Sequence, residues 1–337
     1  MIATASCGLA KPASMPAPRP GGRDAHIDGL KGLLILLVVV GHVFVERVDQ
    51  NALKWVLYGF HMPVFLGLSG YLLNVEKLHR QTVRQVVAGY MRIIVPWALA
   101  SLVYAVATHR IHGPLDMIGL IVTPYFHLWY VPAVLVMIGL VYVIRIPPSW
   151  WGGLAVPMIL AGGILAGVGH QQPLLELTPL HDLLRAALLQ KLLSLGGFFF
   201  LGVGVRARPR EASAWHGGAA LALGAVGLCG WAIFYAVPNP VAEVILFTAF
   251  NAGLVIALPA ARRASLLALP LLAFVGRYSL YFYLWHPLVI RAARGRLAGF
   301  LPEAAALLGA FVLTFVLLVP LLLLARKSRR ASLLLGV

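Results

Sequence analysis

Runs of apolar residues recur along the chain, broken by short segments that hold most of its charge. A helix needs about 20 mostly apolar residues to cross a bilayer. Ten windows qualify, at about 27–45, 52–73, 86–107, 125–144, 150–168, 190–205, 217–236, 241–258, 271–290 and 303–325. The pattern predicts an all-α, polytopic membrane protein of about ten transmembrane helices. The sixth window is short. The ninth is interrupted, because Gly276-Arg277 separates Leu266–Val275 from Leu280–Ile290. Its first piece reads either as an interfacial helix or as part of the span. No heptad or fixed-period repeat is present.

Composition supports lipid as the solvent. The 337 residues are 61% hydrophobic and 11% charged, whereas soluble domains carry about 25% charged residues. No polar block is long enough to form a soluble domain. The expected organisation is a disordered cytoplasmic tail over 1–22, a single membrane domain over 23–330 and a cytoplasmic C-terminal tail over 331–337. The tail up to Gly22 is rich in Ala, Pro, Gly and Ser and lacks the unbroken apolar core of a signal peptide. Cys7 and Cys229 suggest neither a disulfide nor a metal framework.

The formal net charge is +16. With no nucleic-acid motif in the chain, the positive charge reads as loop anchoring rather than nucleic-acid binding. Placing both termini inside, seventeen of the 27 Lys and Arg residues fall in cytoplasmic segments and eight on the far side. This bias predicts a plasma (inner) membrane protein with cytoplasmic termini. The cluster Arg291, Arg294 and Arg296 sits awkwardly on the far side. The longest far-side loop, about 169–189, holds His181, Asp182 and Arg185 and could contribute to an acceptor site.

Charge inside a membrane is costly, so ionisable residues within spans point to function. Asp28 and Lys31 are three apart on one helix face. Lys31 and His42 are eleven apart, close to three turns, so they share a face about 16 Å apart along the axis. The competing reading makes Asp28 and Lys31 interfacial anchors and His42 an end cap. In the second window, Phe60-His61-Met62-Pro63 brings a kink-prone proline beside a histidine. There His61 either lines a cavity or lies at the far interface. Lys77, Arg80, Arg84 and Arg92 form a basic stretch fit for phosphates or for plain anchoring. His127-Leu128-Trp129-Tyr130 reads as an interfacial aromatic belt or as a sugar-stacking surface. Ser279, Tyr283 and His286-Pro287 occupy the ninth window.

Taken in order, four pieces resemble the membrane acyltransferase-3 family, whose members O-acylate glycans and related molecules. They are Ile27-Asp28-Gly29-Leu30-Lys31-Gly32 with Gly41-His42, Phe60-His61-Met62-Pro63-Val64-Phe65 with Ser69-Gly70-Tyr71, His127-Leu128-Trp129-Tyr130, and Tyr278-Ser279-Leu280-Tyr281 with Leu284-Trp285-His286-Pro287. The resemblance covers nearly the whole chain and implies ten core helices. The family's first-span signature is Arg, ten residues, His; here Lys31 takes the Arg place, as in the fucose O-acetylase-like branch. The family's Arg-x-x-Arg before the third span is matched only at Arg92, with Gly89 in the first place. A minimal member, without a fused esterase-like domain, is therefore expected.

The resemblance implies transfer of an acetyl or succinyl group from acyl-CoA to a hydroxyl of a glycan or lipid-linked sugar, with no metal. A base must deprotonate that hydroxyl, and His42 is the expected base, since imidazole titrates near neutrality. Asp28, about 21 Å from His42 along a straight helix, joins the catalytic set at the donor entrance. Lys31, Arg84 and Arg92 are expected to hold the donor's phosphates. His61, Ser69, His127, Trp129, Tyr130, Ser279, Tyr283 and His286 are expected to line the acceptor or active site. A transporter or flippase of a polysaccharide precursor is the alternative, and a non-catalytic assembly or sensor protein a third reading. The oligomeric state is not legible.

Overall fold

Side-chain caps start several of the helices. Asp24 Oδ1 accepts the N–H groups of His26 and Ile27 and opens α1, Ala25–Val43. Asn51 caps α2, Ala52–Leu72, and Asn74 caps the short α3, Val75–His79. Thr82 and Gln85 form a capping box for α4, Val83–Ala107, satisfying donors that no helical carbonyl reaches. That box starts the helix three residues ahead of the 86–107 window. Seven further helices follow among the described residues: α5 (Tyr130–Val143), α6 (Trp150–Gln171), α7 (Ala187–Arg206), α8 (Ser213–Ile233), α9 (Pro240–Ile256) and, after two 3₁₀ turns, the pair α10 (Pro270–Arg277) and α11 (Ser279–Leu297) in place of a single ninth helix. The chain closes with α12, Glu303–Ala325, and α13, Arg329–Leu335.

This computed structural model describes residues 24–44, 46–109, 111, 113, 119–121, 124–125, 127–171, 187–208 and 213–337. The predicted N-terminal tail and the far-side residues His181, Asp182 and Arg185 lie outside them. No strand occurs among the described residues, so the all-α expectation stands. Each of the ten apolar windows falls on a helix, the ninth on two. The sixth is longer than expected, at 20 residues. The fourth is shorter, because residues 127–129 form a turn. Their carbonyls are taken sideways, Leu128 O by Trp97 Nε1 and His127 O by the Tyr283 hydroxyl.

Among the described residues, α1, α4 and α12 are long and apolar enough to cross a membrane, and five shorter apolar helices accompany them. The two faces of α12 show what surrounds the bundle. Ala306, Ala310, Thr314, Leu318 and Leu322 recur every four residues and are buried. The opposite stripe, Leu308, Val312 and Val316, is equally apolar yet exposed. A helix with no polar face needs lipid on its outer side.

Glycines let backbones touch where helices cross, the usual device when lipid removes any hydrophobic drive between them. A Cβ on Gly70 would strike Phe199 O, and one on Gly202 would strike Gly67 O, so α2 and α7 pack backbone to backbone. Gly29 and Gly32 of α1 meet the carbonyls of Leu267 and Leu272 in the same way. Gly276 of α10 lies against Asp28 O. The motif Asp28-Gly29-Leu30-Lys31-Gly32 thus doubles as a docking strip for α10. α2 runs unbroken through Pro63. The carbonyl that Pro63 cannot serve, Gly59 O, accepts Asn251 Nδ2 at 2.8 Å.

The end of α1 is held by two cations from other helices. Lys54 Nζ donates to Phe44 O at 3.2 Å and Glu46 O at 2.7 Å, and Arg294 Nη1 donates to Val43 O at 2.6 Å. Cations favour the negative end of a helix dipole. Arg294, awkward as a loop charge, is explained as this cap. Arg294→Met is expected to cost about 1–2 kcal/mol of stability through the orphaned carbonyl, read as a lower melting temperature in nanodiscs.

At the opposite end of α1, Arg262 Nε meets Asp24 Oδ2 at 2.6 Å, and Arg262 Nη1 donates to the Tyr71 hydroxyl. Partial burial pushes the Asp24 carboxyl up. The hydrogen bond and charge of Arg262, with two backbone N–H groups, outweigh this and hold it below the usual value of 3.8. A depressed carboxyl stabilises the fold at pH values above its unfolded pKa and loses that contribution as pH falls through its folded one. Asp24→Asn keeps the cap and removes the charge. It is expected to cost up to about 1 kcal/mol at neutral pH and progressively less below pH 4, measurable by paired melting curves.

Candidate active site

α1 places ionisable groups at both of its ends. Near its start, the buried Asp28 accepts a 3.2 Å contact from Lys31 Nζ, the pairing that an i,i+3 spacing allows. His42 lies in the last turn, half-buried. The sequence places it deeper, in a span reaching residue 45. The helix stops at Val43 because Phe44 turns extended and gives its carbonyl to Lys54.

Between these ends a cavity of about 230 Å³ runs among α1, α2, α4, α5 and α11. Its wall is apolar, formed by residues such as Ile35, Val38, Met62, Phe65, Leu68 and Leu135. Polar groups punctuate it: Lys31, Ser69, Tyr90, Tyr130, Ser279 and Tyr283. Ser69 Oγ donates to Phe65 O at 3.0 Å, so its single proton is spent. The 2.6 Å contact with Tyr130 is therefore donated by the tyrosine.

Beyond the cavity, three imidazoles converge. His42 Nδ1 lies 2.6 Å from His286 Nε2, with the ring planes within 7°. His127 meets both edge-on, at ring separations of 6.1 Å from His42 and 5.6 Å from His286. α11 supplies the frame. His286 Nδ1 reaches Phe282 O at 2.8 Å, Leu284 O accepts the Tyr104 hydroxyl at 3.0 Å, and the Tyr283 hydroxyl donates to His127 O. Pro287 removes the N–H that would serve Tyr283 O, the carbonyl one residue after the one that His286 Nδ1 reaches. Val38, which lines the cavity, is one turn below His42 on α1, about 6 Å along the axis.

Lys31, Ser69, Tyr130, Ser279 and Tyr283 of the expected set share the cavity, and His42, His127 and His286 share the cluster. His61 lies beside Tyr58, whose ring also meets His42, with ring separations of 5.0 and 6.2 Å, and His61 Nδ1 contacts Leu57 O at 2.5 Å. Trp129 is buried beside Tyr130 and does not line the cavity. Arg84 and Arg92 are exposed on α4 and do not line this cavity, although Tyr90 and Ile93 of that helix do.

Two residues escaped the sequence reading. Tyr58 lies edge-on to His42, and Gly41 leaves it room, since a Cβ there would press on the Tyr58 ring at 2.9 Å. Its place three residues before His61 is a weak cue. Tyr104 packs edge-on against His127; nothing in its local sequence marks it.

A family model described as an acyltransferase domain matches residues 24–325, from the Asp24 cap to the end of α12. Nodulation protein NolL of Mesorhizobium japonicum is 29% identical over 122 residues, 32% of this chain and 33% of that protein. NolL of Sinorhizobium fredii is 30% identical over 143 residues, 38% of this chain and 39% of that protein. The aligned part thus spans only a third or so of each relative. No solved structure matches. The one family model reaches from the helix that carries Asp28, Lys31 and His42 to the helix that covers α11, and on that match the chain belongs to the acyltransferase-3 family of membrane proteins.

Proposed function

We propose that this protein is an integral membrane O-acyltransferase that moves an acetyl or succinyl group from acyl-CoA to a hydroxyl of a glycan or lipid-linked sugar. In this reading the 23–330 domain crosses the plasma membrane ten times, with both termini in the cytoplasm. One observation carries it: an apolar cavity is lined by Lys31, the ion-pair partner of Asp28, and also by Val38, one turn before His42 on the same helix. A pantetheine-like arm is thin and largely apolar and suits such a wall. Lys31 would meet donor phosphate at the cytoplasmic mouth, with the exposed Arg84 and Arg92 as further cations. Ser69, Tyr130, Ser279 and Tyr283 would position the thioester and the incoming hydroxyl.

His42 would accept the hydroxyl proton while the oxygen attacks the thioester carbonyl. The carbon–sulfur bond then breaks, and the departing thiolate takes the proton back from His42. Ester and free thiol are the products, so atoms and charge balance.

The test is thiol release from acetyl-CoA by the purified protein in nanodiscs, with and without envelope glycan. Release that depends on glycan, with acetyl found on the glycan by mass spectrometry, is expected. Indifference to acetyl-CoA, with glycan moving across the bilayer, would instead favour a transporter. Lys31→Ala is expected to raise the KM for acetyl-CoA about tenfold and leave kcat nearly unchanged, the mark of lost ground-state binding.

A further inference from the structure

A chain of protons can be traced through the imidazole pair from atoms whose roles are not negotiable. Phe282 O is a carbonyl oxygen and can only accept. His286 Nδ1, 2.8 Å away, must therefore donate. A neutral imidazole carries one N–H, so His286 Nε2 holds its lone pair. His42 Nδ1, 2.6 Å from that nitrogen, must then be the donor. It follows that the lone pair of His42 resides on Nε2. Ring planes within 7° and ring centres 4.9 Å apart suit an N–H···N bond made nitrogen to nitrogen rather than one ring lying over the other.

We propose that His286 is a positioning residue that fixes the tautomer and orientation of His42, with the Phe282 carbonyl as its anchor. This rests on His42 being the base. It moves His286 out of the acceptor-lining set. Three features fit the role. His286 is fully buried, at 0% exposure, on a stretch of α11 buried from Tyr281 through His286. The His127 ring stands edge-on to both members of the pair. The bond also strengthens during the reaction. When His42 Nε2 takes the hydroxyl proton, Nδ1–H belongs to an imidazolium, and its bond to His286 becomes charge-assisted. The benefit therefore falls on the transition state and should appear in kcat.

The experiment uses the full chain in membranes, with radiolabelled acetyl-CoA as donor and the envelope glycans of those membranes as acceptor. His286→Phe keeps the ring and removes the acceptor nitrogen. His286→Gln returns an acceptor oxygen near the same place. Expected is a loss on the order of a hundredfold in turnover for the Phe variant, an unchanged KM for acetyl-CoA, and recovery of at least tenfold by Gln. In ¹⁵N-histidine-labelled protein, solid-state NMR should show His42 as a single Nδ1–H tautomer that becomes a mixture in the Phe variant. A Phe variant with wild-type turnover, or one whose His42 signals do not change, overturns the proposal. Should His42→Ala itself turn over normally, the base reading fails instead, and the two failures are told apart by that variant.

Discussion

Replacing His42 with alanine is expected to lower acyl transfer about a thousandfold and leave the protein folded. Positioned general bases contribute about 10² to 10⁴ in rate, and a thousandfold corresponds to about 4 kcal/mol of transition-state stabilisation. The fold should tolerate the loss far better. The ring is half-buried, bonds to His286 and touches Tyr58 and His127 edge-on. Removing it should cost only about 1–2 kcal/mol of stability. His42→Gln sharpens the test, because an amide can still bond His286 but cannot take a proton. Both variants should melt near the wild type and both should be inactive. A folded Gln variant that transfers acetyl at the normal rate would remove the base from the mechanism.

Hydropathy placed ten windows that each fall on a helix, the ninth on a pair, whereas the short α3 and α13 fall in none of them. Local spacing also sufficed for Asp28 and Lys31, whose partner is one turn away. What stayed hidden depends on contacts between distant segments. His42 and His286 are 244 residues apart, and no local pattern says that their rings meet. Asn251 serves the carbonyl that Pro63 frees, 192 residues away. Arg294 looked misplaced when charges were counted by loop, since a count cannot see that one guanidinium caps the end of α1. The same holds for the start of α5, where an apolar window continues but the backbone of 127–129 is held by Trp97 and Tyr283. Arg84 and Arg92 show the converse. Their charge, and for Arg92 the family motif, suggested a phosphate grip; both are exposed on α4, and neither lines the cavity that Lys31 does.

The glycines offer a second large effect, and its sign runs against helix propensity. In a helix interior, Gly→Ala ordinarily gains about 0.5–1 kcal/mol. Gly89 of α4 has nothing within 4 Å of an added Cβ, so Gly89→Ala should show that gain. Gly276→Ala should do the opposite. Its Cβ would run into Asp28 O and the Gly32 backbone, and neither is the end of a flexible side chain that can swing away. Relief requires α10 to back off from α1. That separation opens the contacts of Gly29 and Gly32 with Leu267 and Leu272 as well. A loss of about 3 kcal/mol is expected, read as a melting temperature well below both the wild type and Gly89→Ala. Activity should suffer beyond the folded fraction, because α1 carries both Lys31, which lines the cavity, and His42. If Gly276→Ala melted as high as Gly89→Ala, α1 and α10 could not be in backbone contact, and the position of the Asp28–Lys31 pair at the cavity mouth would lose its support.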